Sequence, residues 1–453
     1  MDTAQTAVPV LPPGPQKNLL FDREADLKHN VIGILQKGAN EYNGISRHKI
    51  GIGNFIHITN PSYIEHVFTR GDIYIKSNEN KELKFLLGNG LLTSEGTFWL
   101  KQRRLIQPLF HKQRLTGFVQ KITETCNALI AEWNSAGDGV KDVHAEMTKL
   151  TLGIVSKTLL STDASADFRK ISHALEILMK VLGQRSVSVF KLPYWVPLPK
   201  HIRMKNERQL LDNTIEKIIG TRRADTKQYD NLLTMLMEVE DADTAERMTN
   251  VQLRDEVITI FLAGHETTAN GMAFALYHLA KHPGMSERIA HEVEAVFKDG
   301  PFTYDGLMQL DFTTRVIKES MRLFPPAWIM ARLATKDDII DGYIIKKNDV
   351  LVMSPYTVQR LNRVWPNAEH FDPDRFLPEN MKHMPGYAYF PFGGGARMCI
   401  GNNFAMMEMQ IMLALLASHF QFKLVPSFNL QIEPLVTLRP KGGLKLEVHK
   451  IQS

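Results

Sequence analysis

Cys399 stands in the run Phe390-Pro391-Phe392-Gly393-Gly394-Gly395-Ala396-Arg397-Met398-Cys399-Ile400-Gly401, and it is one of only two cysteines in 453 residues. With no second cysteine nearby it can form neither a local disulfide nor a multi-cysteine zinc site. Three successive glycines let the backbone turn tightly and approach a flat partner closely, because no Cβ intervenes. Two roles stay open on these residues alone. A solitary cysteine is often an inert core residue. A thiolate presented this way can also be the single axial ligand of a haem iron, the donor type suited to O–O cleavage.

A second group with chemical potential is Ala263-Gly264-His265-Glu266-Thr267-Thr268, followed by Asn270. These polar residues sit inside a run that is otherwise apolar, and polar groups there are costly unless they have a purpose. An acid beside an alcohol can hold a water and move protons. The structural alternative for Thr267 and Thr268 is a bond back to the carbonyl one turn earlier. Glu319 and Arg322 lie three apart on a helical pattern and so share a face.

The elements that must carry these groups follow from periodicity. Asn250 to Ala280 reads as one long helix, N-capped by Thr249 or Asn250, and buried because it is apolar nearly all round from Val257 to Leu276. Phe404 to Ser418 is an apolar helix rich in Met and Leu, placing Cys399 just before a helix N-terminus that favours a thiolate. Thr314 to Leu323 is helical and is stopped by Pro325-Pro326. Residues 63–297 are mostly helical, broken by the Pro- and aromatic-rich connector Lys191 to Pro199, a candidate apolar lid. Strand-like stretches flank Gly53-Asn54 as a hairpin, and Asp338 to Ile345 with Asp349 to Met353 read as a second hairpin. Cys126, in a helical pattern, reads as a packing residue.

The order of the motifs now carries a resemblance. Phe392-x-x-Gly395-x-x-x-Cys399-x-Gly401, Trp99-x-x-x-Arg103, Gly264 to Thr268, Glu319-x-x-Arg322 and Phe371-Asp372-Pro373-Asp374-Arg375-Phe376 together resemble the cytochrome P-450 monooxygenases over essentially the whole chain. The cysteine signature is highly specific, whereas Glu-x-x-Arg alone is nearly worthless. The resemblance implies a mainly α fold with a smaller β region (α+β), and haem b (iron protoporphyrin IX) between the long helix and the Cys399 loop. It implies a single domain over 1–453, with a Pro-rich segment at 1–16. The β-rich parts would fall in 17–62 and 338–453, and a mainly helical part in 63–330.

Carried over residue by residue, the resemblance makes Cys399 the axial iron ligand and has Phe392 and Gly401 shape its loop. Trp99, Arg103, Arg332 and Arg397 would meet the haem propionates. Glu319, Arg322 and Arg375 would form a buried network that serves folding. Gly264, Glu266, Thr267 and Thr268 would form the oxygen-side machinery. Thr267 would hold a water and Glu266, with a raised pKa, would pass protons inward; His265 would partner Glu266 or solvent rather than iron. Leu86, Phe261, Ala263, Ala327, Trp328 and Ile329 would line an apolar substrate pocket.

The bulk composition agrees with such a reading without demanding it. Lysine and arginine number 54 against 49 acids, a net charge of +5. That excess is too small to argue for nucleic acid. Two cysteines suit a reducing cytoplasm, and no signal peptide or membrane span is evident. No Gly-x-Gly-x-x-Gly fingerprint follows a strand, so no fused reductase is expected. The implied electron source is a separate ferredoxin or flavodoxin with an NAD(P)H-dependent reductase, met by a monomer. Lys101, Arg103, Arg104, Lys112 and Arg114 could be its docking patch, or plain solvated charges. O2 would be the co-substrate, and hydroxylation or epoxidation of an apolar molecule the reaction. A fatty acid is the first candidate, with Arg47, His48 or Lys49 as carboxylate capture. Terpenoids, carotenoids and polyketides are alternatives, and a non-enzymatic haem-thiolate sensor is the reading from another class.

Overall fold

The computed structural model describes residues 8–15, 30–50, 53–77, 79–160, 165–186, 192–225, 227, 229–241, 245–298 and 300–451. Helix makes up 56% of it, with a smaller sheet component, as the resemblance implies. The chain groups into two compact units, one of Met1–Lys81, Ala327–Phe371 and Pro378–Cys399, the other of Glu82–Pro326, Asp372–Leu377 and Ile400–Ser453.

The first unit is built on a five-stranded sheet, ordered Ile45–Ile50, Gly53–Ile58, Val350–Met353, Met330–Ala334, Tyr74–Lys76. The expected first hairpin forms, but Ile50 pairs with Gly53. Gly53 and Asn54 therefore belong to the second strand, and residues 51–52 between the two strands lie outside the described residues. The expected second hairpin is also shifted. Asp338–Ile340 pairs with Tyr343–Ile345 around Asp341-Gly342, where both residues have positive φ. Val350–Met353 instead joins the large sheet, parallel to Gly53–Ile58. Its apolar run, with Leu351, Val352 and Met353 all buried, is what a strand covered on both faces requires.

This unit also holds the Cys399 loop. Helix Pro61–Thr69 starts cleanly, with Pro61 in its first turn and the Asn60 side chain accepting from Ser62 N. Its buried Phe68 meets Phe390 at 6.0 Å and Tyr387 at 5.6 Å between ring centroids.

The second unit is organised around the long helix Asn250–Lys281. Its start is a capping box: Gln252 N donates to Thr249 Oγ1 at 3.3 Å, and Thr249 N donates to Gln252 Oε1 at 2.8 Å. Residues on nearly every face of it are buried. Helix Val143–Val155 crosses it where Thr151 Oγ1 donates to the His265 carbonyl at 3.0 Å. Helix Asn402–His419 packs at Gly271, where an added Cβ would lie 3.2 Å from Met409 Sδ. Helix Asp311–Leu323 ends before the two prolines, and Phe324 stacks on Phe274 at 4.4 Å. The hairpin Ile432–Pro434 with Leu438–Pro440 closes this side of the unit, Leu438 N donating to Pro326 O at 2.9 Å. Cys126 is fully buried on helix Val119–Ala136, in the packing role expected of it.

The Leu192–Pro199 part of the connector is tied down rather than loose. Tyr194 stacks on Phe85 at 4.5 Å, and its hydroxyl donates to Glu82, which Arg185 Nε also meets at 2.9 Å. Beside it Trp195 is 76% exposed.

Candidate active site

In the Cys399 loop the backbone is pinned from several directions. Gly393 N donates to Phe390 O at 3.0 Å, Gly395 N to Tyr387 Oη at 3.2 Å, and Cys399 N to Phe392 O at 2.9 Å. The glycines are required by the protein itself. At Gly395, φ is +60° and a Cβ would come within 2.1 Å of the Phe68 carbonyl oxygen; at Gly394 it would strike the Tyr387 ring at the same distance. Approach to a flat partner is thus not the only reason for the glycine run. The result is an exposed Cys399 thiol at the end of a rigid turn. Arg397 and Phe392 in the loop are half-buried. Arg332 lies over the Phe68 ring at 5.4 Å and donates to the Ala331 carbonyl at 2.9 Å. Ala327 and Ile329 are half-buried, while Trp328 is buried, its carbonyl held by Ser354 Oγ at 2.7 Å.

On the long helix, burial lapses along one stripe. Ile260, Ala263, Gly264 and Thr267 are half-buried or exposed, although most of the helix around them is covered. The spacing is that of one helical face. A Cβ at Gly264 would lie 3.2 Å from Val155 Cγ2, so close helix packing gives this glycine a reason besides room for oxygen. Thr267 Oγ1 donates to Ala263 O at 2.6 Å, the back-bond of helical threonines. With its proton so committed, the hydroxyl faces the stripe as an acceptor.

Glu266 Oε1 accepts from Thr437 Oγ1 at 2.5 Å. Burial pushes its carboxyl above the ordinary value, partly offset by Thr437 and Arg439. The pairing of His265 with Glu266 is not found. His265 is buried, neither ring nitrogen has a hydrogen-bond partner among the described residues, and burial lowers its pKa to about 4. The ring points away from the acid because consecutive helical residues do not face each other.

Thr268 is also buried, and its Oγ1 and both carboxyl oxygens of Glu408 are without hydrogen-bond partners among the described residues. Glu408 was missed by sequence reasoning. It is fully buried in the helix after Cys399, and burial holds its carboxyl well above the usual range. The available signal was a lone acid inside a Met- and Leu-rich run. Leu86 and Phe261 have no exposed surface and sit in the same apolar core cluster. Trp99 is buried under the Arg103 guanidinium at 5.9 Å from its ring.

Glu319, Arg322 and Arg375 lie together in one ion-pair network. Glu319 and Arg322 are fully buried, and Arg375 Nε lies 3.4 Å from Glu319 Oε1. The proposed docking patch looks different. Lys101 meets Glu246 at 2.6 Å, Lys112 meets Asp305 at 2.6 Å, and Arg104 meets Asp241 at 4.0 Å. Much of its positive charge is already answered locally.

Each unit carries groups of the kind a haem takes: in the first an exposed thiol on a pinned turn, and in the second a partly uncovered apolar stripe with an alcohol and a buried Trp99 beneath the half-buried Arg103. Among the described residues no cluster of three or more His, Cys, Asp or Glu could hold a bare metal ion instead.

Sequence comparison gives the family directly. The Cytochrome P450 family model matches residues 10–447, and the chain belongs to that family of haem-dependent, O2-using oxidoreductases. It is similar to cyclooctatin synthase of Streptomyces melanosporofaciens, at 32% identity over 83% of this chain and 83% of that protein. It also resembles pentalenene oxygenase of Streptomyces avermitilis, at 30% identity over 85% and 84%. Among solved structures, the heme domain of cytochrome P450DA superposes with a TM-score of 0.89, at 25% identity over 98% of this chain and 99% of that one. No helix among the described residues is long and apolar enough to cross a membrane.

Proposed function

We propose that this chain is a haem b monooxygenase in which Cys399 is the axial ligand and Glu266 with Thr267 handles protons, and that its substrate is an apolar terpenoid. When bound, haem iron supplies the activation of O2, and one oxygen atom enters the substrate by hydroxylation or epoxidation. The observation that carries the reading is the interruption of burial along Ala263, Gly264 and Thr267, beside an acid whose proton affinity is raised.

The side chains divide the work. The hydrogen bond from Cys399 N to Phe392 O fixes the loop that presents the thiolate. Thr267 Oγ1, its own O–H donated to Ala263 O, accepts a hydrogen bond from a water and so holds that water on the open stripe. Glu266, protonated more readily than an ordinary carboxyl, gives a proton toward that water and regains one from solvent. Trp99, Arg103, Arg332 and Arg397 are the groups available to the propionates. Of the residues expected to meet substrate, Ala263 in the second unit and Ala327 and Ile329 in the first have surface to offer. Electrons come from a redox partner of ferredoxin or flavodoxin type, in a cytoplasmic setting.

Two things favour the terpenoid. Relatives named for cyclooctatin and pentalenene chemistry are among the most similar. The carboxylate-capturing cluster is also incomplete, since His48 is buried against Ser46 Oγ at 3.0 Å. A fatty acid remains the second reading because Arg47 Nε is buried without a hydrogen-bond partner among the described residues, a site a carboxylate would satisfy. Spectral titration with both classes decides. A high-spin shift with terpene hydrocarbons and none with acyl chains supports the first reading; the reverse result replaces it with the second.

A further inference from the structure

Behind Glu266 three side chains form a single file. Thr437 Oγ1 donates to Glu266 Oε1 at 2.5 Å, Asn270 Nδ2 donates to Thr437 Oγ1 at 3.2 Å, and His144 Nε2 lies 2.8 Å from Asn270 Oδ1. The file joins helix Val143–Val155, the long helix and the 432–440 hairpin. Thr437 and Asn270 are buried, and His144 is half-buried.

With the Glu266 carboxyl ionised, the directions of these bonds are forced. Thr437 has one proton and spends it on Glu266, so its oxygen must accept from an Asn270 N–H. That turns the Asn270 carbonyl toward His144, which must then carry its proton on Nε2. Every donor points toward the carboxyl.

An amide in the file settles what it can do. Passing a proton through Asn270 would require the disfavoured imidic acid tautomer, so the file cannot serve as a proton wire. It can hold Oε1 in place and leave Oε2 as the oxygen that takes up and releases protons. The charged groups that bear on the file are Arg439, held by Glu433 at 3.0 Å, together with Glu176, Asp142 and His265.

We propose that Thr437, braced by Asn270 and His144, is a positioning residue that clamps Glu266 Oε1 and confines proton exchange to Oε2. The proposal rests on Glu266 being the proton-delivering acid, but the clamp itself can be read without turnover.

The test uses the haem-loaded protein. Infrared pH titration follows the Glu266 carboxyl band, assigned by its loss in Glu266→Gln, in wild type, Thr437→Val and Thr437→Ser. Thr437→Val should raise the midpoint by about one pH unit, as expected for losing a hydrogen bond to a charged acceptor. Thr437→Ser should restore it. An unmoved midpoint in the valine variant overturns the clamp. Independently of any variant, the ¹⁵N shifts of His144 should report the Nε2–H tautomer, and the Nδ1–H tautomer would overturn the assigned direction. A fully coupled Glu266→Gln enzyme would overturn the proton-delivery reading instead, leaving the titration to decide the clamp.

Discussion

Arg322 grips Glu319 with two bonds, Nε to Oε2 at 2.6 Å and Nη2 to Oε1 at 2.8 Å, and neither side chain has any exposed surface. The same carboxylate accepts from Asp372 N at 2.8 Å, which ties the 372–377 segment to helix Asp311–Leu323. A surface pair at this spacing would contribute only a few tenths of a kcal/mol. Here burial makes each partner depend on the other. Glu319→Gln or Arg322→Leu should each destabilise the fold by about 3–5 kcal/mol, because each strands a buried charge. Urea unfolding measures this. A loss of surface-pair size would show that water reaches the network.

Glu408 should make stability fall as pH rises. Its folded pKa lies above the ordinary value of 4.5, so the folded protein holds this proton more tightly than the unfolded chain. The stability is complete below about pH 4.5 and declines through the interval up to the folded pKa, at about 1.4 kcal/mol per pH unit for one group. Unfolding free energies of wild type and Glu408→Gln, measured across that range, should diverge in this direction. Parallel curves would mean that Glu408 is ionised in the fold.

His265 has the opposite sign. Its pKa is lowered from 6.5 to about 4 by burial and by His144. The neutral ring's contribution is complete above pH 6.5 and is lost as pH falls toward 4, on the order of 3 kcal/mol in all. His265→Leu should remove that part of the acid sensitivity in thermal melts taken between those pH values. An unchanged acid limb would assign it to other groups, such as fully buried His57.

Thr267→Ala should leave electron consumption intact while product per electron pair falls on the order of tenfold, less than the loss of the proton donor itself would cost. Thr267→Ser, which keeps the hydroxyl, should recover most of it. Product and NAD(P)H measured together read the ratio, and unchanged coupling in the alanine variant would move the water site elsewhere.

The long helix and its cap were legible in the sequence because the apolar pattern is continuous and Thr249 with Gln252 has the capping-box spacing. The Cys399 loop was legible because glycine, arginine and cysteine at fixed spacing form a rare combination. Strand pairing was less so. The pairing of Ile50 with Gly53 and the departure of Val350–Met353 to another sheet are set by register and long-range partners that local alternation does not record. The environment of Glu266 was out of reach for the same reason. Thr437 is distant in the chain, and nothing about either residue announces the bond between them. Arg375 stands 3.4 Å from Glu319 Oε1, a long-range proximity that the Glu-x-x-Arg spacing does not record.

Thiolate ligation of haem iron by Cys399 is read from the absorption spectrum of the reduced, carbon-monoxide-bound protein. The Soret band should stand at the red-shifted position diagnostic of a thiolate opposite carbon monoxide, and Cys399→His should return it to the position of haem proteins with neutral ligands. A wild-type band already at the neutral-ligand position, in protein that remains folded, would contradict the assignment.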